Sequence, residues 1–210
     1  MVNRIVLTGG PSAGKTTLLT LLGLKYKERV AVAAEAATIH FSNGEVRPFC
    51  DEERILTQRK IFKLQRWLES QAEQNAETPV FCDRGSLDGS AYWPGSVKEF
   101  CFAMNTTLEH ELSRYTAVIH LQSAAIGTGY VNNSIRQENR DEAALLDQRI
   151  TDVWRAHPHY IFVPNSGNFV QKLDAALLAL KPYLPTTLAD ERAHAKMYST
   201  VSDLLAQVSC

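Results

Sequence analysis

Arg4-Ile5-Val6-Leu7-Thr8-Gly9-Gly10-Pro11-Ser12-Ala13-Gly14-Lys15-Thr16-Thr17 is the stretch on which the reading of the whole chain turns. Its first five residues form a short, β-branched apolar run that stops at glycine, the pattern of a strand buried on both faces in a parallel sheet. Gly9–Thr16 then fits G-x-x-x-x-G-K-[ST]. Glycines let the backbone curl so that successive N–H groups face one anion, and a helix starting beside them adds the positive end of its dipole. The apolar positions Leu18, Leu19, Leu21, Leu22 and Leu24 supply that helix, predicted over Thr16–Lys27. In this context Lys15 is expected to reach the β- and γ-phosphates of a nucleoside triphosphate, and the Thr16 hydroxyl to hold Mg²⁺. The nucleotide-binding set is Gly9, Gly10, Pro11, Ser12, Ala13, Gly14, Lys15, Thr16 and Thr17.

The same strand–helix alternation continues outward from this stretch. Val30–Ala34, Pro79–Cys82, Ala117–Leu121 and Tyr160–Val163 read as four further strands. Asp51–Ala76, a segment from the capping-box pattern Ser134-x-x-Gln137 to about His157, and Phe169–Leu180 read as helices. Glu35–Cys50 reads as irregular, and the aromatic segment around Tyr92, Trp93, Phe100 and Phe102 as loop with short helices. Ser123–Asn133, small and polar with Gly127 and Gly129, reads as a mobile loop. A last helix is predicted over about Leu188–Val208. Alternating strands and helices imply right-handed crossovers and a three-layer α/β fold, with about five parallel strands covered on both faces. Residues 1–183 would be the nucleotide-binding domain and 184–210 a helical appendage.

Composition narrows the classes further. The 210 residues are 45% hydrophobic and 21% charged, with a formal net charge of −1 and pI near 6.6. That suits a globular domain with a sizeable core and offers no basic field for nucleic acid. A polynucleotide kinase is disfavoured on the same ground. No stretch approaches a membrane span or a signal-peptide core. Cys50, Cys82, Cys101 and Cys210 are widely spaced and form no C-x-x-C pair, so neither a disulfide framework nor a zinc site is expected and a cytoplasmic setting is the default. A homodimer is left open.

Candidate chemistry clusters where the predicted strands end, since ligands of such sheets lie beyond the carboxyl ends of the strands. Val80-Phe81-Cys82-Asp83 is an apolar strand ending in an acid, which suits Asp83 to Mg²⁺ through water; a turn or capping aspartate is the plainer reading. Arg84 suits an acceptor or its phosphate as well as a surface salt bridge. Glu35, just after the second strand, can accept an acceptor's hydroxyl proton or bind its sugar, or be a solvated loop residue. Arg136 and Arg140, four apart on one helix with Asp147 two turns on, are placed to close over a triphosphate or to pair with acids on a wet face. Gln58, Gln65 and Glu69 flank the apolar stripe of the Asp51–Ala76 helix, where they either line an acceptor pocket or mark a boundary helix. Arg59, Lys63 and Arg66 read as solvated, His157 as a helix-end residue, and Gln171-Lys172-Leu173-Asp174 as helix interior instead of a guanine-reading loop.

Several stretches together resemble a known family. They are Leu7–Thr17, Glu35-Ala36-Ala37-Thr38, Asp83–Asp88 (D-R-G-S-L-D) and Ile135-Arg136-Gln137-Glu138, with Asp147, Trp154-x-x-His157-Pro158 and Asn165-x-x-x-Phe169-x-x-Lys172. The chain is similar, over about Val2–Leu180, to the AAA-type ATP/GTP-binding domain family exemplified by the translocation-defect protein of TRPL trafficking. That family resembles the nicotinamide-riboside kinase domain of the bacterial NAD regulator and, more distantly, thymidylate and deoxynucleoside kinases. The resemblance implies lid roles for Arg136 and Arg140, an acidic–Arg pair at Asp83-Arg84, and a place near the nucleotide base for Asn165. Larger members carry a second, triphosphate-tunnel-like domain where one helix is expected here. The leading expectation is Mg²⁺-dependent transfer of the γ-phosphoryl group of ATP or GTP to a small, nucleoside-like acceptor. The alternative is a slow NTPase or nucleotide switch that binds a protein partner.

Overall fold

The structure, a computed structural model, describes residues 3–74, 78–124, 126 and 134–185, with backbone alone for 134–139. The five predicted strands form: β1 (Arg4–Thr8), β2 (Ala31–Ala33), β3 (Val80–Asp83), β4 (Ala117–Leu121) and β5 (Tyr160–Val163). All neighbouring pairs are parallel, in the order β2-β3-β1-β4-β5. β1 is therefore central, with Leu7 opposite Asp83 on one side and Ile119 on the other. Both chain connections out of β1 and β3 cross over it or its neighbours, so a crevice opens at the carboxyl end of the sheet where strand order changes direction.

Alternation along β1 sends side chains to two cores. Ile5 and Leu7 pack with Leu18 and Leu22 of α1 (Lys15–Tyr26), and with Leu173, Ala176 and Leu180 of α7 (Phe169–Leu180). Val6 faces the opposite layer with Cys82, Val118, Leu87, Phe100 and Trp154. That layer is built from α3 (Asp51–Gln74), α4 (Val97–Ala103), α5 (Leu108–Ser113) and α6 (Ser134–Trp154). Every residue of β4 is buried, as a strand covered on both faces requires.

Four local readings change. Glu35–Cys50 is not irregular throughout, because Ala36–Ser42 forms α2. Seven residues give too little apolar periodicity to announce a helix; α2 is held by packing on α3. Arg66 is only partly solvated: its guanidinium meets the fully buried Glu111 at 2.7 Å. Glu69 lines no pocket, being buried in an ionic cluster with Arg114 and the Tyr115 hydroxyl (2.9 Å). His157 does not serve a helix dipole alone; its ring lies 2.9 Å from the Tyr115 carbonyl oxygen and accepts from the His159 N–H. The predicted helix over Leu188–Val208 and most of Ser123–Asn133 lie outside the described residues.

Removing one partner of a buried ion pair leaves the other desolvated and uncompensated. Glu69→Ala is therefore expected to lower the unfolding free energy by about 3–5 kcal/mol. Arg54→Ala, which breaks an exposed pair with Asp51, should cost less than about 1 kcal/mol. Urea denaturation of the two variants beside wild type checks the contrast.

Candidate active site

The glycine loop turns from β1 into α1 with two positions that side chains resist. Gly9 has φ +125° and a Cβ there would run into the Leu121 carbonyl; Gly14 has φ +98° and its Cβ would meet the Phe169 ring at 2.8 Å. Gly14 caps α1 without any side-chain acceptor, and the first helical bond is Leu18 N–H to Gly14 O. The first-turn amides of Lys15, Thr16 and Thr17 are thereby left unpaired by the helix, which is the arrangement that receives an anion. Lys15 is 8% exposed, and its ammonium donates to Gly9 O (2.9 Å) and Gly10 O (3.0 Å). Burial, with Arg84 nearby, lowers its pKa to about 8.

The loop is fixed from outside. Asp147 accepts from the Gly10 N–H (2.6 Å) and the Ser123 N–H (3.1 Å), and His120 Nε2 lies 3.1 Å from the same oxygen. Those partners outweigh burial and hold the Asp147 carboxyl below its usual range. From the other side the Lys172 ammonium donates to Ala13 O at 2.7 Å and to Gln122 O. The Ser123 hydroxyl donates to Pro11 O (2.7 Å).

Beyond β3, Arg84 sits in the left-handed region (φ +71°). It is no surface residue. Its Nε donates to Glu35 Oε1 (2.5 Å), and its Nη1 to Asp88 Oδ1 (3.1 Å) and Gly9 O (3.3 Å). Burial alone would lower the guanidinium pKa; Tyr92, Asp88 and Glu35 overcome it and raise it. Arg84 in turn outweighs the burial of Glu35 and keeps that carboxyl below its usual range. Asp88 also accepts from the Thr8 hydroxyl (2.5 Å), the Gly85 N–H (2.8 Å) and the Trp154 indole N–H (3.1 Å). Gln65 bridges the two strand ends, accepting from Ala36 N–H (3.4 Å) and donating to Arg84 O (3.0 Å).

Asp83 is buried, with Oδ1 lacking any hydrogen-bond partner among the described residues. Burial, then the neighbouring Glu35, raises its pKa to about 6. A desolvated carboxylate oxygen beside a phosphate cradle fits a hydrated Mg²⁺, with the exposed Thr16 hydroxyl as the second contact. Among the described residues no group of three or more His, Cys, Asp and Glu side chains is arranged to hold a metal by itself. Next to this cradle lies a cavity of about 870 Å³ lined by Pro11, Glu35 and Arg84 together with Phe41, Gln58 and Tyr92.

The expected site residues Lys15, Glu35 and Arg84 are thus brought together, with Asp83 at their flank. Gln122 and Asn165 lie on the other side of the loop: Gln122 Oε1 accepts from Asn165 N–H (2.8 Å), and the Asn165 amide donates to Ser123 O (2.6 Å) and Ile126 O (3.0 Å). Arg140 is half-buried at the start of the described part of α6, and the Arg136 side chain lies outside the described residues. The sequence assigned no role to Asp88, Trp154 or Lys172 and saw Asp147 only as a neighbour of the arginines. Each does fall within a stretch carrying the family resemblance, which was the available signal.

A glycine cradle at the carboxyl edge of a parallel sheet, opening on a helix N-terminus, makes this a P-loop nucleotide-binding fold of the kinase-like kind. The chain belongs to the AAA_28 family, described as an AAA domain, whose model matches residues 4–172. No curated protein matches it. Among solved structures it is similar to a thymidylate kinase from Ehrlichia chaffeensis, with TM-score 0.54, 13% identity, and 86% of this chain covering 97% of that one. It is also similar to NadR in complex with NAD and AMP-PNP, with TM-score 0.60 and 14% identity. In that case 89% of this chain is covered and it spans 51% of the NadR chain. No helix among the described residues is long and apolar enough to cross a membrane.

Asp147→Ala would leave the Gly10 and Ser123 amides without their acceptor, at a cost of roughly 1–3 kcal/mol. Triphosphate affinity is expected to fall by about tenfold or more, as the loop loses its fixed shape. Isothermal titration of ATP and GTP, with a urea melt alongside, reads both effects; unchanged affinity would show that the tether does not shape the loop.

Proposed function

We propose that the protein is a Mg²⁺-dependent phosphotransferase that moves the γ-phosphoryl group of ATP or GTP to the hydroxyl of a small acceptor. One observation carries this reading: a cavity of about 870 Å³ adjoins the glycine loop at Pro11 and is lined by the Glu35–Arg84 pair. A protein that only binds or hydrolyses a triphosphate has no need of a second compartment of ligand size. The family and the likeness to nucleotide-handling kinase folds support the same class.

In this reading Gly9–Thr17 wraps the phosphates, Lys15 neutralises the β- and γ-oxygens, and Thr16 and Asp83 hold Mg²⁺, which supplies charge neutralisation at the transferring group. Glu35 receives and orients the acceptor hydroxyl. Arg84 positions Glu35, and Arg136 and Arg140 close over the triphosphate where charge develops. Asn165 fixes the loop beside the base. Residues 1–183 carry this chemistry in a cytoplasmic setting.

Lys15→Ala is expected to lower triphosphate affinity roughly 100-fold, about 2.7 kcal/mol, with thermal stability near wild type. Asp83→Asn should weaken the Mg²⁺-dependent part of binding more than the metal-free part. Isothermal titration with and without Mg²⁺ measures both, and equal affinities would refute the assignments.

For Arg140→Ala, triphosphate affinity should stay close to wild type while turnover with a phosphoryl acceptor falls about 10²–10³-fold. Acceptor-stimulated ADP release by the wild-type chain is the basal assay. If ADP forms at one rate whatever acceptor is added, and Arg140→Ala instead loses triphosphate-over-diphosphate discrimination, the protein is an NTPase or switch.

A further inference from the structure

We propose that His120 is a positioning residue for nucleotide binding: its ring N–H fixes the Asp147 carboxylate, and the carboxylate in turn fixes the Gly10 amide of the glycine loop. The proposal rests on triphosphate binding by that loop and not on the transfer of a phosphoryl group.

In β4, Ala117-Val118-Ile119-His120-Leu121, one imidazole stands in a strand whose every residue is buried. His120 itself is fully buried. It lies in register with Thr8 of β1 on one side and Phe162 of β5 on the other. Between ring centroids it is 5.3 Å from Phe162 and 5.9 Å from Tyr160. An apolar side chain would suit such a place at lower cost than an imidazole, whose nitrogens must both be taken out of water. One nitrogen, Nε2, has Asp147 Oδ1 at 3.1 Å, and the other, Nδ1, has no partner among the described residues.

The groups around Oδ1 decide which nitrogen carries the proton. Gly10 N–H (2.6 Å) and Ser123 N–H (3.1 Å) both donate to that oxygen. Burial would raise the Asp147 pKa; the His120 hydrogen bond first, and then the Gly10 amide, hold it below its usual range. An ionised carboxylate oxygen only accepts, so Nε2 is the donor. Nδ1 is then the bare nitrogen, since a buried N–H at that position would need an acceptor that the Tyr160 and Phe162 rings do not supply.

His120 and Ser123 both belong to the end of β4, so they hold Oδ1 to the edge of the sheet, while its bond to Gly10 reaches across to the loop. The fit at the loop is tight. A Cβ added at Gly10 would lie 3.0 Å from Asp147 Oδ1 and 2.9 Å from Ser123 Cβ. A shift of the carboxylate is therefore felt at Gly10 directly. The Lys15 ammonium meets the Gly10 carbonyl at 3.0 Å, so the error passes on to the residue that faces the phosphates. The ring N–H also draws off part of the charge of a carboxylate that stands beside an anion site.

The titratable groups that face Asp147 are His120 on β4, Tyr160 on β5 and Lys172 on α7. Lys172 is engaged by Ala13 O and Gln122 O. Tyr160 is a neutral phenol, its pKa pushed up to about 12 by burial. That leaves His120 as the side chain that holds the carboxyl down. A carboxyl with a depressed pKa keeps its tether above that pKa and loses it as the pH falls through it. Taking the ring away raises the pKa, so the loss begins at higher pH.

The test titrates the full chain with ATP by calorimetry across the acid range. Wild type is set beside His120→Leu, which removes the donor, and His120→Gln, which can place an amide N–H where Nε2 stands. His120→Leu should bind ATP about tenfold more weakly, with the acid limb of its affinity profile moved to higher pH. His120→Gln should return to within about threefold of wild type, on the original limb. In an Asp147→Ala background His120→Leu should weaken binding by no more than about twofold further, because the ring acts through the carboxylate. Long-range ¹H–¹⁵N NMR of the wild-type chain should show the His120 proton on Nε2 with Nδ1 bare, a measurement that needs no variant to fold. Equal losses in the Leu and Gln chains mark a packing role and overturn the proposal. So do an unmoved acid limb, an additive loss beside Asp147→Ala, or a proton on Nδ1. A wild-type chain that binds no ATP removes the loop's nucleotide and this role together. Phosphoryl transfer enters none of these readouts, so its absence ends the phosphotransferase reading alone.

Discussion

A loop that offers its own amides to an anion cannot use those amides to hold itself together. The turn from β1 to α1 lives under that constraint, and the surrounding structure is arranged to meet it. Asp147 takes the Gly10 amide, Lys172 takes the Ala13 carbonyl, and Ser123 takes the Pro11 carbonyl. These contacts come from α6, α7 and the end of β4, so three separate segments must be in register before the cradle has its shape. The burial of Lys172 and Asp147 is costly in isolation. It is offset because each group is given hydrogen-bond partners that the loop would otherwise leave unsatisfied.

The cavity side follows a related logic with a different outcome. Arg84 is kept in a left-handed backbone conformation that a long side chain adopts at a cost of order 1 kcal/mol or more. The cost is met by over-determination: β1, α3, Glu35 and Asp88 all hold the same residue. Asp88 extends the arrangement to Thr8 at the end of β1 and to Trp154 at the end of α6. The phosphate cradle and the cavity are therefore two sides of one hydrogen-bonded layer across the carboxyl edge of the sheet. The Glu35 carboxylate stays ionised in that layer because Arg84 lies against it.

Much of this was legible because its causes are local. Short apolar, partly β-branched runs placed β1, β4 and β5 at their observed bounds, and β2 and β3 within a residue or so. The spacing of Gly9, Gly14 and Lys15 announced the cradle without help from elsewhere. What escaped depends on contacts distant in sequence. Asp147 lies 137 residues from Gly10 and Asp88 lies 80 from Thr8, and an aspartate on a helix or turn looks the same whether it faces water or a buried amide. Glu69 beside an apolar stripe looked like a boundary residue; only the arrival of Arg114 and Tyr115 from another segment makes it core. α2 was missed for the complementary reason, since about two turns of helix carry little periodic signal and are settled by what packs on them.

The division of labour around the cavity has a consequence for how such a protein changes over evolutionary time. Arg84, Asp88 and Gln65 are each bound to several partners, so a substitution at any of them disturbs strand ends and helices together. Gln58, Phe41 and Arg47 line the same space with few obligations to the framework. Neutral drift can therefore reshape the cavity wall while the machinery beneath it stays fixed. A lineage built on this scaffold can change what the cavity admits through a handful of tolerated replacements, with stability little affected along the way.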